Sequence, residues 1–168
     1  MKNSIINNFK FNGKTIFVVG GLGLIGEEVT NELANLGAKI VIIANNYLKF
    51  IKNKKSKKTF STIFFEKLDL RNTKAIKKTY NKIIKKHGCP DVFVNCSYPR
   101  TSDWPKNNFT KISLESLTKN INYHLVTYTY LARTTAEFMK KKRKKSGSSI
   151  LLGSIYGVLG QDLNIYIG

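Results

Sequence analysis

The stretch Ile16-Phe17-Val18-Val19-Gly20-Gly21-Leu22-Gly23-Leu24-Ile25-Gly26, with the run that follows it to Gly37, restricts what this chain can become more than any other. The β-branched and aromatic run from Ile16 to Val19 passes directly into glycines, which predicts a buried parallel strand ending in a tight turn. A helix follows. Ile25, Val29, Leu33 and Leu36 recur at helical spacing and are expected to share its buried face, with Glu27, Glu28 and Glu32 directed elsewhere. Gly37 is placed to close it.

A strand, a glycine turn and a helix together point the backbone N–H groups of a helix N-terminus at an anion, typically the pyrophosphate of a dinucleotide. Gly20, Gly23 and Gly26 have the spacing G-x-x-G-x-x-G, and Gly21 adds flexibility inside the turn. Such glycines serve three ends: a sharp turn, close approach of phosphate to backbone, and tight packing of helix on strand. The strand before and the helix after separate this motif from an ordinary glycine turn.

The remaining chain extends the same pattern. Lys39-Ile40-Val41-Ile42-Ile43 reads as a second buried strand, which completes a βαβ unit. At its tip an acidic residue would accept hydrogen bonds from an adenine ribose, and basic residues would favour a 2′-phosphate. This chain has Asn45-Asn46-Tyr47, with Lys49 and Lys52 shortly after. Asn45 can bond a hydroxyl but brings no charge, so NAD and NADP both stay open. Lys52 to Thr59 reads as a basic surface connection, and Thr62 to Leu68 as a third strand ending at Asp69-Leu70. Thr73 is expected to cap a helix whose residues Ile76, Tyr80, Ile83 and Ile84 share a face. His87-Gly88-Cys89-Pro90 ends it, with His87 as a basic residue at a helix C-terminus.

Asp91 to Asn95 is a fourth short apolar strand, with Asn95 at the C-terminal end where parallel sheets bind ligands. The irregular segment Cys96 to Thr110 holds the single Trp104, which either covers a pocket or packs a loop. A long helix is expected from about Leu114 to Lys142, with Ser113 as its N-cap and Leu117, Ile121, Leu125, Tyr128 and Ala132 on one face. Ser148 to Gly153 is a fifth strand, followed by Ser154, a turn or cap residue at the functional edge.

Composition sets the class. At 168 residues and 42% hydrophobic, residues 1–168 are expected to form a single soluble domain. No run approaches the ~20 apolar residues that would span a bilayer, so no membrane partner is expected and the cytoplasm is the expected compartment. Cys89 and Cys96 lack metal-type spacing with His87 and His124; they read as reduced thiols, with no metal site. The net charge of +19 comes largely from lysines at 52, 54, 55, 57 and 58 and from the run Lys140 to Lys145. Both clusters read as solvated surface rather than a specific nucleic-acid interface, because no nucleic-acid motif accompanies them.

These landmarks together resemble the short-chain dehydrogenases/reductases, over essentially the whole chain. Val19-Gly20-Gly21-Leu22-Gly23-Leu24-Ile25-Gly26 looks like the family's nucleotide turn, with spacing closer to the extended branch; Val19 replaces the usual Thr, and Leu24 the Gly of the classical branch. Asp69-Leu70 looks like the adenine-contacting Asp and its neighbour. Val94-Asn95-Cys96-Ser97-Tyr98 is similar to the family's Asn-Asn-Ala-Gly segment, from which Cys96, Ser97 and Tyr98 depart. Asn122 looks like the helical Asn of the proton relay, and Ser154 like the catalytic serine. Residues 95–100 and 154–158 further resemble a sugar-modifying subset that includes flagellin-glycan and nonulosonate oxidoreductases.

The resemblance implies an α/β fold, a Rossmann-type doubly wound parallel sheet of strand order 3-2-1-4-5. It implies an NAD- or NADP-dependent oxidoreductase that interconverts an alcohol and a carbonyl on a sugar-like or polar small molecule, and a homo-oligomer in the full-length form. Cofactor contacts are then expected from Gly20, Gly21, Gly23, Leu24, Ile25, Gly26, Asn45, Asp69, Leu70, Asn95, Cys96 and Ser97. The family's chemistry also needs a Tyr-x-x-x-Lys pair after the serine, and the sequence ends at Gly168 without it. Tyr166 falls in a loop before the expected Tyr. The expectation is therefore an N-terminal portion with little or no turnover, its fifth strand an exposed apolar edge. The alternative from another class is an inactive nucleotide-binding or partner-binding module.

Overall fold

The computed structural model describes residues 9–55, 60–108, 110–142 and 146–159. Five parallel strands form one sheet: β1 (Thr15–Val19), β2 (Lys39–Ala44), β3 (Ile63–Lys67), β4 (Val92–Asn95) and β5 (Ser148–Leu151). Their order in space is β3-β2-β1-β4-β5, as expected. The order reverses at β1, so the chain leaves the paired ends of β1 and β4 toward opposite faces of the sheet, which opens a crevice there.

Strand alternation divides the core into two layers. Phe17, Val19, Val41, Ile43 and Phe93 face one side, where α3 (Thr73–His87) and α5 (Thr127–Lys141) bury Tyr80, Ile83, Ile84 and Leu131. Ile16, Val18, Ile40, Ile42 and Val94 face the other, under α1 (Leu24–Asn35) and α2 (Tyr47–Lys55). Each fully buried Ile or Phe of such a sheet contributes about 1.5–3 kcal/mol through burial. Phe17 and Phe93 both meet Tyr80 edge-on, at centroid distances of 6.4 Å.

Several expectations are corrected. The fully buried stripe of α1 is Gly26, Thr30 and Ala34, while Val29 and Leu33 are only partly buried and Ile25 is exposed. Small residues lie innermost because this helix sits close on the sheet, and bulkier side chains are pushed to its flanks. Its C-terminus follows the glycine rule: Gly37 has φ +91, its N–H bonds the Ala34 carbonyl, and the Ala38 N–H bonds that of Leu33. Lys52 begins no simple connection, because α2 extends to Lys55, started by Asn46 Oδ1 accepting from the Lys49 N–H at 2.9 Å. Asn72, not Thr73, occupies the cap position of α3, and its side chain makes no capping bond. His87 is largely buried and its Nε2 lies 2.6 Å from Glu66 Oε1 on β3, so it is a tertiary contact as well as a C-terminal base.

The long helix is interrupted. Ser113 caps α4 (Leu114–Ile121) as expected, accepting from the Ser116 N–H at 3.1 Å. A π-helical turn then spans Asn122–Val126, and α5 follows. The wide turn puts the two halves of the expected stripe out of register: Leu117, Ile121 and Leu125 are exposed, while Tyr128 and Ala132 pack partly buried against the core. The buried positions are Ser116, Thr127, Leu131, Thr134 and Thr135. Strand β5 is exposed along its length, the open edge that was expected. Among the described residues no helix is long and apolar enough to cross a membrane. Tyr166, Gly168, Lys57, Lys58, Phe109 and residues 143–145 lie outside the described residues.

Candidate functional site

Three local structures build a groove along the C-terminal edge of the sheet. The first is the glycine turn. Gly20 has φ +75, and a Cβ there would lie 2.6 Å from the Ser97 backbone, so the turn after β1 and the loop after β4 touch through bare backbone. Gly26 packs beneath, where a Cβ would meet the Gly20 carbonyl oxygen. Gly21 is buried and takes a packing role: its Cβ position abuts Thr30 Oγ1 and Ile42, and its carbonyl accepts from Thr30 Oγ1 at 3.4 Å. Rather than loosening the turn, it lets helix and strand close on each other.

Gly23 is the N-cap of α1 and supplies no side-chain capping bond. Because the cap residue is a glycine, the positive end of the helix dipole opens where Gly23, Leu24 and Ile25 line the groove. Leu24 is 91% exposed, an unusual position for a leucine unless something covers it.

The second structure is the β2 tip. Asn45 is exposed and lines the groove with Lys49, while the oxygen of Asn46 is committed to capping α2. Nearby, Asp69 and Leu70 follow β3. Asp69 accepts a fork of bonds from Arg71, Nη2 to Oδ2 at 2.7 Å and Nε to Oδ1 at 3.0 Å. These bonds hold the Asp69 carboxyl below its ordinary range.

The third is the loop after β4. Asn95 is 1% exposed and lies beneath the groove; its Oδ1 accepts from both the N–H and the hydroxyl of Ser97. Its Nδ2 is buried without a hydrogen-bond partner. Cys96 and Ser97 form the wall, with burial raising the Cys96 thiol above its ordinary value. The enclosed space is about 510 Å³, ample for a small ligand.

The structure thus brings Gly20, Gly23, Leu24, Ile25, Asn45, Asp69, Leu70, Cys96 and Ser97 to one groove. Gly21, Gly26 and Asn95 support it from below. Asn122 opens the π turn, its carbonyl accepting from the Thr127 N–H five residues on; π turns recur at functional sites. Ser154 Oγ accepts from the Tyr156 N–H at 3.2 Å, capping its own short turn, and does not line the groove. Sequence reasoning had not assigned Tyr98 and Arg100 to the groove wall, though both follow a strand at the ligand edge.

The sequence matches the family model described as short chain dehydrogenase over residues 14–166. The chain belongs to the short-chain dehydrogenase family. Among curated relatives of this chain is retinol dehydrogenase 12 of Mus musculus, 24% identical over 157 residues. That match takes in 88% of this chain and 48% of the relative, so the chain spans about half the length of the relative. A short chain dehydrogenase from Leptospira borgpetersenii, solved with bound NAD+, superposes with a TM-score of 0.74 at 23% identity, covering 93% of this chain and 57% of that one. L-sorbose reductase from Gluconobacter frateurii, solved with NADPH and L-sorbose, gives 0.74 at 18% identity, covering 89% and 56%. These likenesses place the sheet order and flanking helices of the short-chain dehydrogenase fold in this chain.

Proposed function

We propose that this chain forms the nucleotide-binding part of an NAD(P)-dependent oxidoreductase that interconverts an alcohol and a carbonyl on a sugar-like or otherwise polar small molecule. The observation that carries the reading is the α1 N-terminus, whose cap residue is a glycine, opening on the groove through Gly23, Leu24 and Ile25. A dinucleotide fits these residues: backbone N–H groups meet a pyrophosphate, the bare Gly20 and Gly23 admit it, and Asn45 and Lys49 face a ribose. When bound, the nicotinamide supplies or accepts the hydride. The chain's own part is to hold the dinucleotide through the glycine turn, to pack its apolar surfaces against Leu24 and Leu70, and to stiffen the wall through Asn95. Ser154 is assigned to orienting the substrate oxygen and Asn122 to the proton relay, both by family resemblance. The sugar-like substrate is supported by the segments 95–100 and 154–158, which resemble a sugar-modifying subset.

A second reading, a nucleotide-binding module without turnover, is favoured by Ser154, which caps its own short turn and does not line the groove. Titration of the purified chain with NADH and NADPH, followed by nicotinamide fluorescence and paired with carbonyl-reduction assays, separates the two. Saturable binding with turnover supports the oxidoreductase, and binding without turnover supports the module. No binding of either nucleotide refutes both.

A further inference from the structure

Beyond Cys96 and Ser97, the loop after β4 carries a second group of side chains built around Tyr98. Tyr98 is 56% exposed, yet its ring is fixed from below. It stands edge-on to Trp104 at a centroid distance of 5.4 Å and lies 5.0 Å from His124. His124 Nδ1 lies 3.1 Å from Tyr128 Oη, and Tyr128 Oη donates to the Ser97 carbonyl. An exposed aromatic ring held in this way is a rigid platform rather than a mobile surface side chain.

Arg100 sits on that platform, its guanidinium 5.7 Å from the Tyr98 ring centroid. It also forms part of two walls, that of the groove and that of a neighbouring polar cavity of about 640 Å³. Of the other charged groups around that second cavity, the cations are paired with carboxylates and Asp103 is held by neutral donors. Arg71 grips Asp69, Lys119 bonds Glu115, and Asp103 accepts from Ser116 Oγ at 3.1 Å. Among the described residues Arg100 forms no ion pair with a carboxylate. A planar guanidinium, oriented by stacking and facing two cavities, matches the paired oxygens of a carboxylate or phosphate.

We infer that Arg100 is a specificity-determining residue that binds an anionic group, a carboxylate or phosphate monoester, on the polar substrate, while Tyr98 offers a flat apolar face to the carbon skeleton. The inference deepens the oxidoreductase reading and rests on it for the word substrate; recognition of the anion itself is measurable apart from it.

The test is calorimetric titration of the wild-type chain, Arg100→Gln and Arg100→Lys with D-glucuronate, D-glucose 6-phosphate and D-glucose, each with and without NADH. The wild type is expected to bind at least one anionic probe about tenfold or more tighter than D-glucose, consistent with hydrogen bonds to charged groups. Arg100→Gln should erase that preference, and Arg100→Lys should retain part of it. Equal affinity for charged and neutral probes, or a preference that survives in Arg100→Gln, overturns the inference. A tenfold loss of NADH affinity in Arg100→Gln also overturns it, because Arg100 would then be holding the cofactor. If the wild type binds no NADH, the oxidoreductase reading fails, and the titrations without NADH still decide the role of Arg100.

Discussion

A Cβ atom on Gly26 would lie 2.2 Å from the carbonyl oxygen of Gly20. Both are backbone positions of one turn, so neither can swing aside as a flexible side chain would. Gly26→Ala is therefore expected to push α1 off the turn, destabilise the chain by ~1–3 kcal/mol and weaken NADH binding about tenfold or more. Gly23→Ala is the control for stability alone: its Cβ would stand 3.2 Å from the same oxygen, at an exposed cap position, so its melt is expected to stay closer to wild type. Thermal melts with fluorescence titration read both quantities, and wild-type NADH affinity in Gly26→Ala would remove the glycine turn from the site.

Lys49 lines the groove beside Asn45, and Asp69, a carboxylate that lines the same groove, is already bound to Arg71. The β2 tip therefore carries uncompensated positive charge. Lys49→Ala is expected to weaken NADPH binding about fivefold and NADH by less than twofold, since only NADPH brings a 2′-phosphate to this tip. Adding Lys52→Ala should widen the gap slightly, because Lys52 is exposed on α2. Equal losses for the two nucleotides would show that Lys49 does not read the 2′-phosphate.

The parts of this fold that are legible from sequence are those where one physical signal dominates. Ile16–Val19 and Lys39–Ile43 are buried on both faces of a parallel sheet, so they read as unbroken apolar runs. The glycines read because a sharp turn and close packing demand them. The α4–α5 stripe fails for two reasons: the π turn at Asn122–Val126 shifts the helical register, and the face it buries is polar. Thr127 and Thr135 go inside with their hydroxyls donating to the Tyr123 and Leu131 carbonyls, which hydrophobic periodicity cannot reveal. Helix α2 was hidden because its lysines resemble a loop, and only the cap bond from Asn46 shows where it begins. Arg100 and Tyr98 have no local signature, because their position depends on packing against Trp104 and His124, outside their own strand.

Glu66 ties β3 to the end of α3, accepting from Lys86 Nζ at 2.7 Å and lying 2.6 Å from His87 Nε2. Burial acts to raise its pKa, but the bonds from His87 and Lys86 outweigh it and hold the carboxyl below its ordinary 4.5. A depressed folded-state pKa adds stability above the unfolded value, and that stability is lost as pH falls from about 4.5 through the folded value. Glu66→Gln should therefore cost ~1–2 kcal/mol at pH 7 and flatten the decline below pH ~4.5. Chemical denaturation at pH 7 and pH 3.5 checks it, and parallel losses for variant and wild type would show that the pair contributes no pH dependence.

Tyr128 and Tyr80 test whether the groove wall is held by a specific bond or by stability in general. Tyr128 Oη bridges the His124 ring and the Ser97 carbonyl at the wall, and burial raises its phenol above the ordinary value. Tyr80 Oη bonds Thr135 Oγ1 in the core at 2.5 Å, away from the groove. Thr135 gives its own proton to the Leu131 carbonyl, so Tyr80 is the donor and Tyr80→Phe leaves Thr135 satisfied. Each Tyr→Phe change is expected to cost ~1 kcal/mol of stability, the usual net worth of such a bond. Only Tyr128→Phe should also weaken NADH binding, by about three- to tenfold, because it frees the Ser97 backbone that touches the Gly20 turn. Equal effects of the two variants on NADH affinity would mean that the wall follows overall stability and that Tyr128 has no positioning role.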